Sequence, residues 1–210
     1  MATNREIEVK LKVPDQRELI PRLRALGARR KSRVFESNTL FDTEDCQLRS
    51  RRAILRIRRE QHLQGESQAT SRPTALPVGG ILTFKGLIEG HDPAKSKYKV
   101  REEIEYHIKN AQRFERVLRR IGMKPWFRYE KYRTKYRIEA AGLTIDLDET
   151  PIGTFLELEG SKRSIDRAAK ALGYSRRDYI TDSYLALFRA ECARKGLKAM
   201  NMVFPREKKY

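Results

Sequence analysis

Five like-charged pairs recur two residues apart along the chain: Glu6/Glu8, Arg56/Arg58, Lys131/Arg133, Asp146/Asp148 and Glu157/Glu159. Successive side chains on an extended strand point to opposite faces, so the members of each pair share a face. Neighbouring like charges repel unless a counter-ion lies between them. Paired carboxylates suit hard divalent cations, which take oxygen ligands. Paired Arg and Lys suit phosphate oxygens, which arginine grips through a planar fork. A surface holding both kinds of pair would hold a metal–polyphosphate complex. The alternative is an antiparallel sheet with its charged face in water. Against it, these faces are almost wholly ionisable, where a solvated face mixes in Ser, Thr, Gln and Asn.

The pairs sit in segments of alternating character. In "REIEVKLKV" (5–13), Glu6, Glu8, Lys10 and Lys12 take one parity and Ile7, Val9, Leu11 and Val13 the other. Strands are predicted over 5–13, 30–43, 48–60 (alternation clearest at 54–59), 81–88, 98–108, 127–140, 142–150 and 153–160, the last two forming a hairpin around Thr150–Pro151. Helices are predicted over 14–28, 110–122 and 164–173, and within 178–196. The stretch 61–80, rich in Gly, Pro, Ser and Thr, reads as a long, mobile loop. Nearly consecutive strands with helices between them give an α+β domain built on a large antiparallel sheet.

The 210 residues suffice for one sizeable domain. With 46 Lys and Arg against 28 Asp and Glu, the net charge is +18, which favours a polyanionic partner. No run approaches the roughly 18 apolar residues that would span a bilayer, and the first residues carry no apolar secretory segment. A cytoplasmic protein with no membrane partner is expected. Cys46 and Cys192, far apart and without metal spacing, read as reduced thiols. His62, His91 and His107 have no partner spacing, so no zinc site is expected. Tyr129, Tyr132, Tyr136 and Trp126 read as packing residues.

In chain order "EIEVK" (6–10), "LFDT" (40–43), "LRIR" (55–58), "TFKG" (83–86), "REEIE" (101–105), "KYR" (131–133), "IDLDE" (145–149), "GTFLELE" (153–159) and "DSYLALF" (182–188) resemble the CYTH superfamily, the triphosphate tunnel metalloenzymes. That superfamily includes class IV adenylyl cyclases, thiamine triphosphatases and inorganic triphosphatases. The resemblance implies an eight-stranded antiparallel barrel-like tunnel, charged faces inward and helices packed outside. It makes Glu6, Glu8, Asp146, Glu157 and Glu159 the carboxylates for Mg2+ or Mn2+, with Asp148 a further contact. Lys10, Arg56, Arg58, Lys85 and Arg133 become the triphosphate ligands, of which the first four are the catalytic candidates. Lys131 and Arg101 join as further substrate contacts, and Glu103 and Glu105 would orient these bases.

Residues 1–193 would form the tunnel domain and 194–210 a basic tail outside the family pattern. The expected partner is a triphosphate-bearing small molecule (tripolyphosphate, ATP or thiamine triphosphate), not nucleic acid; a homodimer is compatible with this reading. The expected activity is metal-dependent triphosphate hydrolysis. The alternatives are a class IV adenylyl cyclase and an RNA- or polyphosphate-binding module without turnover.

Overall fold

The computed structural model describes residues 5–63, 73, 75–90 and 92–205. Half of the loop expected over 61–80 lies outside the described residues, as does His91. Eight strands, β1 (Arg5–Val13), β2 (Arg29–Asp42), β3 (Ile54–His62), β4 (Gly80–Gly86), β5 (Lys99–Ile108), β6 (Lys124–Ile138), β7 (Leu143–Thr150) and β8 (Gly153–Glu159), alternate with five helices. These are α1 (Gln16–Ala25), α2 (Gln47–Ser50), α3 (Ala111–Arg120), α4 (Lys162–Ala171) and α5 (Tyr184–Arg194). The strands close into an antiparallel barrel in the order β1-β5-β4-β3-β2-β6-β7-β8.

The register turns the sequence parity into an inside and an outside, because directly opposed residues share a face. Glu6 lies opposite Arg101, and Lys10 opposite Glu157. Asp146 faces both Glu157 and Lys135, and Arg133 faces Asp148. Lys131 meets Glu36, Asn38 meets Arg58, and Arg56 meets Thr83. Lys85 meets Glu103. All these side chains therefore belong to one face, the inner one, and the aliphatic residues between them to the outer one.

That outer face carries the core. Val9, Leu11, Ile145, Leu147, Leu156 and Leu158 pack beneath Leu19 and Leu23 of α1 and Ile165, Ala168 and Ala169 of α4. Leu118 of α3 covers Phe41 and Ile57. Each fully buried aliphatic side chain contributes about 1.5–3 kcal/mol, so an ion-lined interior does not have to supply the stability.

Two elements differ from the sequence reading. Residues 47–53 leave the strand path to form α2 and a turn. Asp42 holds it in place, accepting hydrogen bonds from the backbone N–H groups of Thr43 and Leu48 and from Arg49. Local alternation cannot reveal such a side-chain cap. The fifth helix does not lie on the outer face alone, since its first residue, Tyr184, enters the tunnel wall.

Beyond α5 the chain returns along β6. Met202 donates to the Arg128 carbonyl and accepts from the Glu130 N–H, and Phe204 packs on Phe35 and Tyr132. Met202 is fully buried against Leu40, Phe127 and Tyr129. Met202→Ala is expected to lower stability by about 2–5 kcal/mol, read from the midpoint of urea unfolding at unchanged slope.

Candidate active site

The inner face encloses a cavity of about 780 Å³ whose wall carries twelve basic and eight acidic side chains. A surface with both signs so densely mixed stays folded only if the charges are matched locally. Lys10, 2% exposed, bonds Glu157 at 2.9 Å. Arg133 is held by Asp146 at 2.7 Å, by Asp148 at 2.6 Å and by Glu157. Lys85 grips both oxygens of Glu6, at 2.6 and 2.7 Å, and reaches Glu103 at 3.1 Å. Lys99 sits 2.5 Å from Glu8. Arg56 donates to Thr83 at 2.9 Å and lies 3.4 Å from Glu105, so Glu103 and Glu105 do face the bases they were expected to orient.

Matching is uneven along the tunnel. Burial pushes Glu8 up, but Lys99 and Lys10 together outweigh it and hold the carboxylate well below its usual range. Burial likewise opposes Lys10 and Arg133 at Glu157, and the bases win, leaving Glu157 far below normal. At Glu6, Asp146 and Glu159 the balance reverses. Burial, then the charge of Glu8, raises Glu6 to about 7 in spite of Lys85. Burial raises Asp146, and burial together with Asp146 raises Glu159. The Oδ1 atom of Asp146 has no hydrogen-bond partner. At these three carboxylates the nearby bases do not offset the cost of burial.

The folded chain therefore holds a proton on Glu6 that the unfolded chain loses above about pH 4.5. Stability from this group falls as pH rises from there through 7.

All five carboxylates expected to hold metal, and all seven expected phosphate bases, line this one cavity. Asp148 does not. It is fully buried on the same inner face, beneath the bases, accepting from Lys131 at 2.8 Å, from Arg133 at 2.6 Å and from the Tyr184 hydroxyl at 2.6 Å. Its oxygens are committed to positioning two bases.

Glu36 is likewise fully buried, 3.5–3.6 Å from Lys131, Arg133 and Arg58. It went unrecognised because it stands alone among uncharged neighbours in "VFESNT". Lys99 was also missed, although it shares the parity of Arg101 and Glu103. Tyr132 and Tyr136 are buried and pack outside as expected, but Tyr129 is on the inner face, its hydroxyl 3.3 Å from Arg56 Nη1. Its shared parity with Lys131 was the available signal. Tyr184 had none. Its ring lies 4.9 Å from Lys10 Nζ and 5.2 Å from Lys131 Nζ, a cation–π arrangement set by a helix start remote in sequence.

Do these residues suit a divalent cation? Among the described residues no three carboxylates converge as a finished metal cage. The donor set nevertheless fits one: all-oxygen ligands, carboxylates at Glu6, Asp146 and Glu159 whose burial the nearby bases do not offset, and an unsatisfied acceptor on Asp146. In the same cavity Arg56 Nε is an unsatisfied buried donor, which suits an anion.

A closed antiparallel barrel whose interior is an ion-lined tunnel defines a narrow class of proteins. The CYTH domain family profile matches residues 4–184, and the chain belongs to that family. A Methanocaldococcus jannaschii protein named as a putative adenylate cyclase is 28% identical over 193 residues, covering 87% of this chain and 97% of that one. A Pyrococcus horikoshii structure superposes with a TM-score of 0.68 at 23% identity, covering 89% of this chain and 99% of that one. A Hippeastrum protein, described as a putative adenylyl cyclase with a dominant triphosphatase activity, gives 0.56 at 22%, covering 89% and 96%. At these identities the two structures speak for the fold. Among the described residues no helix is long and apolar enough to cross a membrane.

Proposed function

We propose that the protein is a metal-dependent triphosphatase acting on inorganic or organic triphosphates inside the tunnel. The observation that carries this reading is an unsatisfied buried acceptor on Asp146 and an unsatisfied buried donor on Arg56, two residues that line one cavity. A cation at the first and a phosphate at the second would complete both. A triphosphate carries about four negative charges, and desolvating it without opposite charge is prohibitive. Lys10, Arg56, Arg58 and Lys85, with Lys131 and Arg133 behind them, neutralise it and hold the chain in line. Glu103, Glu105, Glu36 and Asp148 fix the aim of these bases.

Mg2+ or Mn2+, held by Glu6, Glu8, Asp146, Glu157 and Glu159, would supply Lewis acidity and charge neutralisation. Water adds to the terminal phosphorus and the bridging P–O bond breaks. Its electron pair stays on the departing diphosphate, and the water proton leaves to solvent.

The second reading is adenylyl cyclase, favoured by the name of the Methanocaldococcus relative. There a ribose hydroxyl attacks the α-phosphorus and pyrophosphate leaves. The test is incubation with Mg2+ or Mn2+ and a panel of triphosphates, with orthophosphate, pyrophosphate and cyclic AMP measured separately. Orthophosphate from tripolyphosphate, with ATP a poorer substrate, is expected. Cyclic AMP and pyrophosphate in equal amounts from ATP would overturn hydrolysis in favour of the cyclase. Absence of any turnover, with tight salt-sensitive RNA binding, would favour a binding module.

The raised Glu6 gives a linked expectation. Cation binding must displace its proton, so affinity should strengthen as pH rises towards 7 and level off above it. Calorimetry in buffers of different ionisation enthalpy should show proton release at pH 6 that fades by pH 8.5 and is absent in Glu6→Gln. Equal release at both pH values would remove Glu6 from the cation site.

A further inference from the structure

Two tyrosines stand side by side on the cavity wall, Tyr129 of β6 and Tyr184 at the start of α5, with ring centroids 6.3 Å apart. Their hydroxyl groups are used in opposite ways. Tyr184 donates its hydrogen to Asp148 at 2.6 Å. Tyr129 accepts a hydrogen bond from Arg56 Nη1 at 3.3 Å, and its own hydrogen meets no protein acceptor among the described residues. A phenol accepts and donates at once, so the donor side of Tyr129 is unspent.

The surroundings of that hydroxyl are basic. Arg56 and Arg58 line the cavity from β3, and Lys131 follows Tyr129 on the same face of β6. Asn38 of β2 lies opposite both Tyr129 and Arg58 and accepts from Arg58 Nε at 3.3 Å. Three of the bases assigned to the triphosphate therefore stand around one phenol. The acids in this group are already engaged, Glu36 by Arg58, Lys131 and Arg133 and Glu105 by Arg56 and Thr83. From α5 the neutral Tyr184 faces the ring, and the uncharged Met202 packs against it. Burial opposes ionisation of Tyr129, but Arg56, Lys131 and Arg58 outweigh it and bring its pKa below the usual tyrosine value. At Tyr184 burial and the charge of Asp148 act together, and the pKa rises well above normal. Surroundings that push two neighbouring titratable groups apart in this way mark acid–base roles.

We propose that Tyr129 is a further catalytic residue, whose hydroxyl donates a proton to the bridging oxygen of the departing diphosphate. The inference rests on the triphosphatase reading of the cavity. As water adds to the terminal phosphorus, the bridging P–O bond breaks and its electron pair goes to the diphosphate oxygen. The Tyr129 O–H bond breaks, its proton passes to that oxygen, and its electron pair stays on the phenolate beside Arg56, Arg58 and Lys131. The proton released by the attacking water returns to the phenolate through solvent. The three bases thus serve twice, holding the phosphates and stabilising the phenolate.

The test is steady-state hydrolysis of tripolyphosphate with Mg2+ across a range of pH. It compares the wild type, Tyr129→Phe, and protein carrying a ring-fluorinated tyrosine in place of Tyr129, each checked by a thermal melt. Phenylalanine keeps the ring that packs with Leu40 and Phe127, so the fold should be retained. A positioned general acid contributes about 100- to 10,000-fold, so Tyr129→Phe should lower kcat by roughly 100-fold or more and leave KM within about threefold. The fluorinated residue keeps the hydroxyl and its bond from Arg56 but loses its proton at lower pH. It should restore turnover on the acid side and move the alkaline limb of the kcat–pH profile to lower pH.

A role confined to aiming Arg56 would change KM and leave the alkaline limb where it is. Wild-type kcat in Tyr129→Phe, with or without a rise in KM, overturns the proton donor, as does an alkaline limb that fluorination leaves in place. Either result leaves the triphosphatase reading standing. Absence of turnover by the wild type overturns that reading, and the proton donor with it, since no leaving group would form.

Discussion

Glu157→Gln is expected to lower turnover of tripolyphosphate by roughly 100-fold or more, since even supporting residues around a metal contribute 10–100-fold. In the structure this carboxylate stands between Lys10 and Arg133, opposite Asp146, on the cavity wall. Its ionised form is strongly favoured, because the two bases outweigh the cost of burial. The amide keeps its shape but loses its charge, weakening any hold on a cation. The fold should survive. Lys10 keeps Glu8 at 3.9 Å and Arg133 keeps Asp146 and Asp148, and the apolar core lies on the other face of the wall. Steady-state rates at saturating and limiting Mg2+, beside a thermal melt, separate the two effects. Near-wild-type activity at limiting Mg2+ would remove Glu157 from the cation site.

Arg133→Met should have the largest effect on stability. The guanidinium is buried among Asp146, Asp148, Glu157 and Glu36. Burial alone would lower its pKa, but these four carboxylates raise it well above normal. Methionine replaces the stem and leaves the acids short of a cation. Breaking a buried pair in this way costs about 3–5 kcal/mol, and here Lys131 can reach only two of the four acids, Asp148 and Glu36. Urea unfolding at pH 7.5 should show the loss. Lowering the pH to 5 should recover part of it, because protonation neutralises the stranded carboxylates. Unchanged stability at pH 7.5 would mean that the remaining bases already balance the tunnel floor.

How far the sequence goes is visible in particular residues. The alternation in 5–13, 145–149 and 153–159 by itself determines which side chains share a face, because the two-residue period of a strand is a local property. It likewise separates the aliphatic outer face, so the barrel-lining acids and bases were legible before the fold was known. Parity says nothing about position along the tunnel. Asp146 and Asp148 look equivalent in "IDLDE", yet one lines the cavity and the other is covered on the same face, where Tyr184 and two bases take up its oxygens.

Nor does parity say which strands adjoin. Closure sets β1 between β5 and β8 and brings Glu36 of β2 against Lys131 of β6. These are contacts between segments far apart in the chain. Arg52 and Arg189 come from a turn and a helix, where no strand period operates, and only tertiary closure puts them on the same cavity wall as Arg101. Local backbone geometry therefore determined the chemistry of each face. Its depth, partners and protonation were decided by tertiary closure, because burial and charge matching depend on every group that surrounds a site.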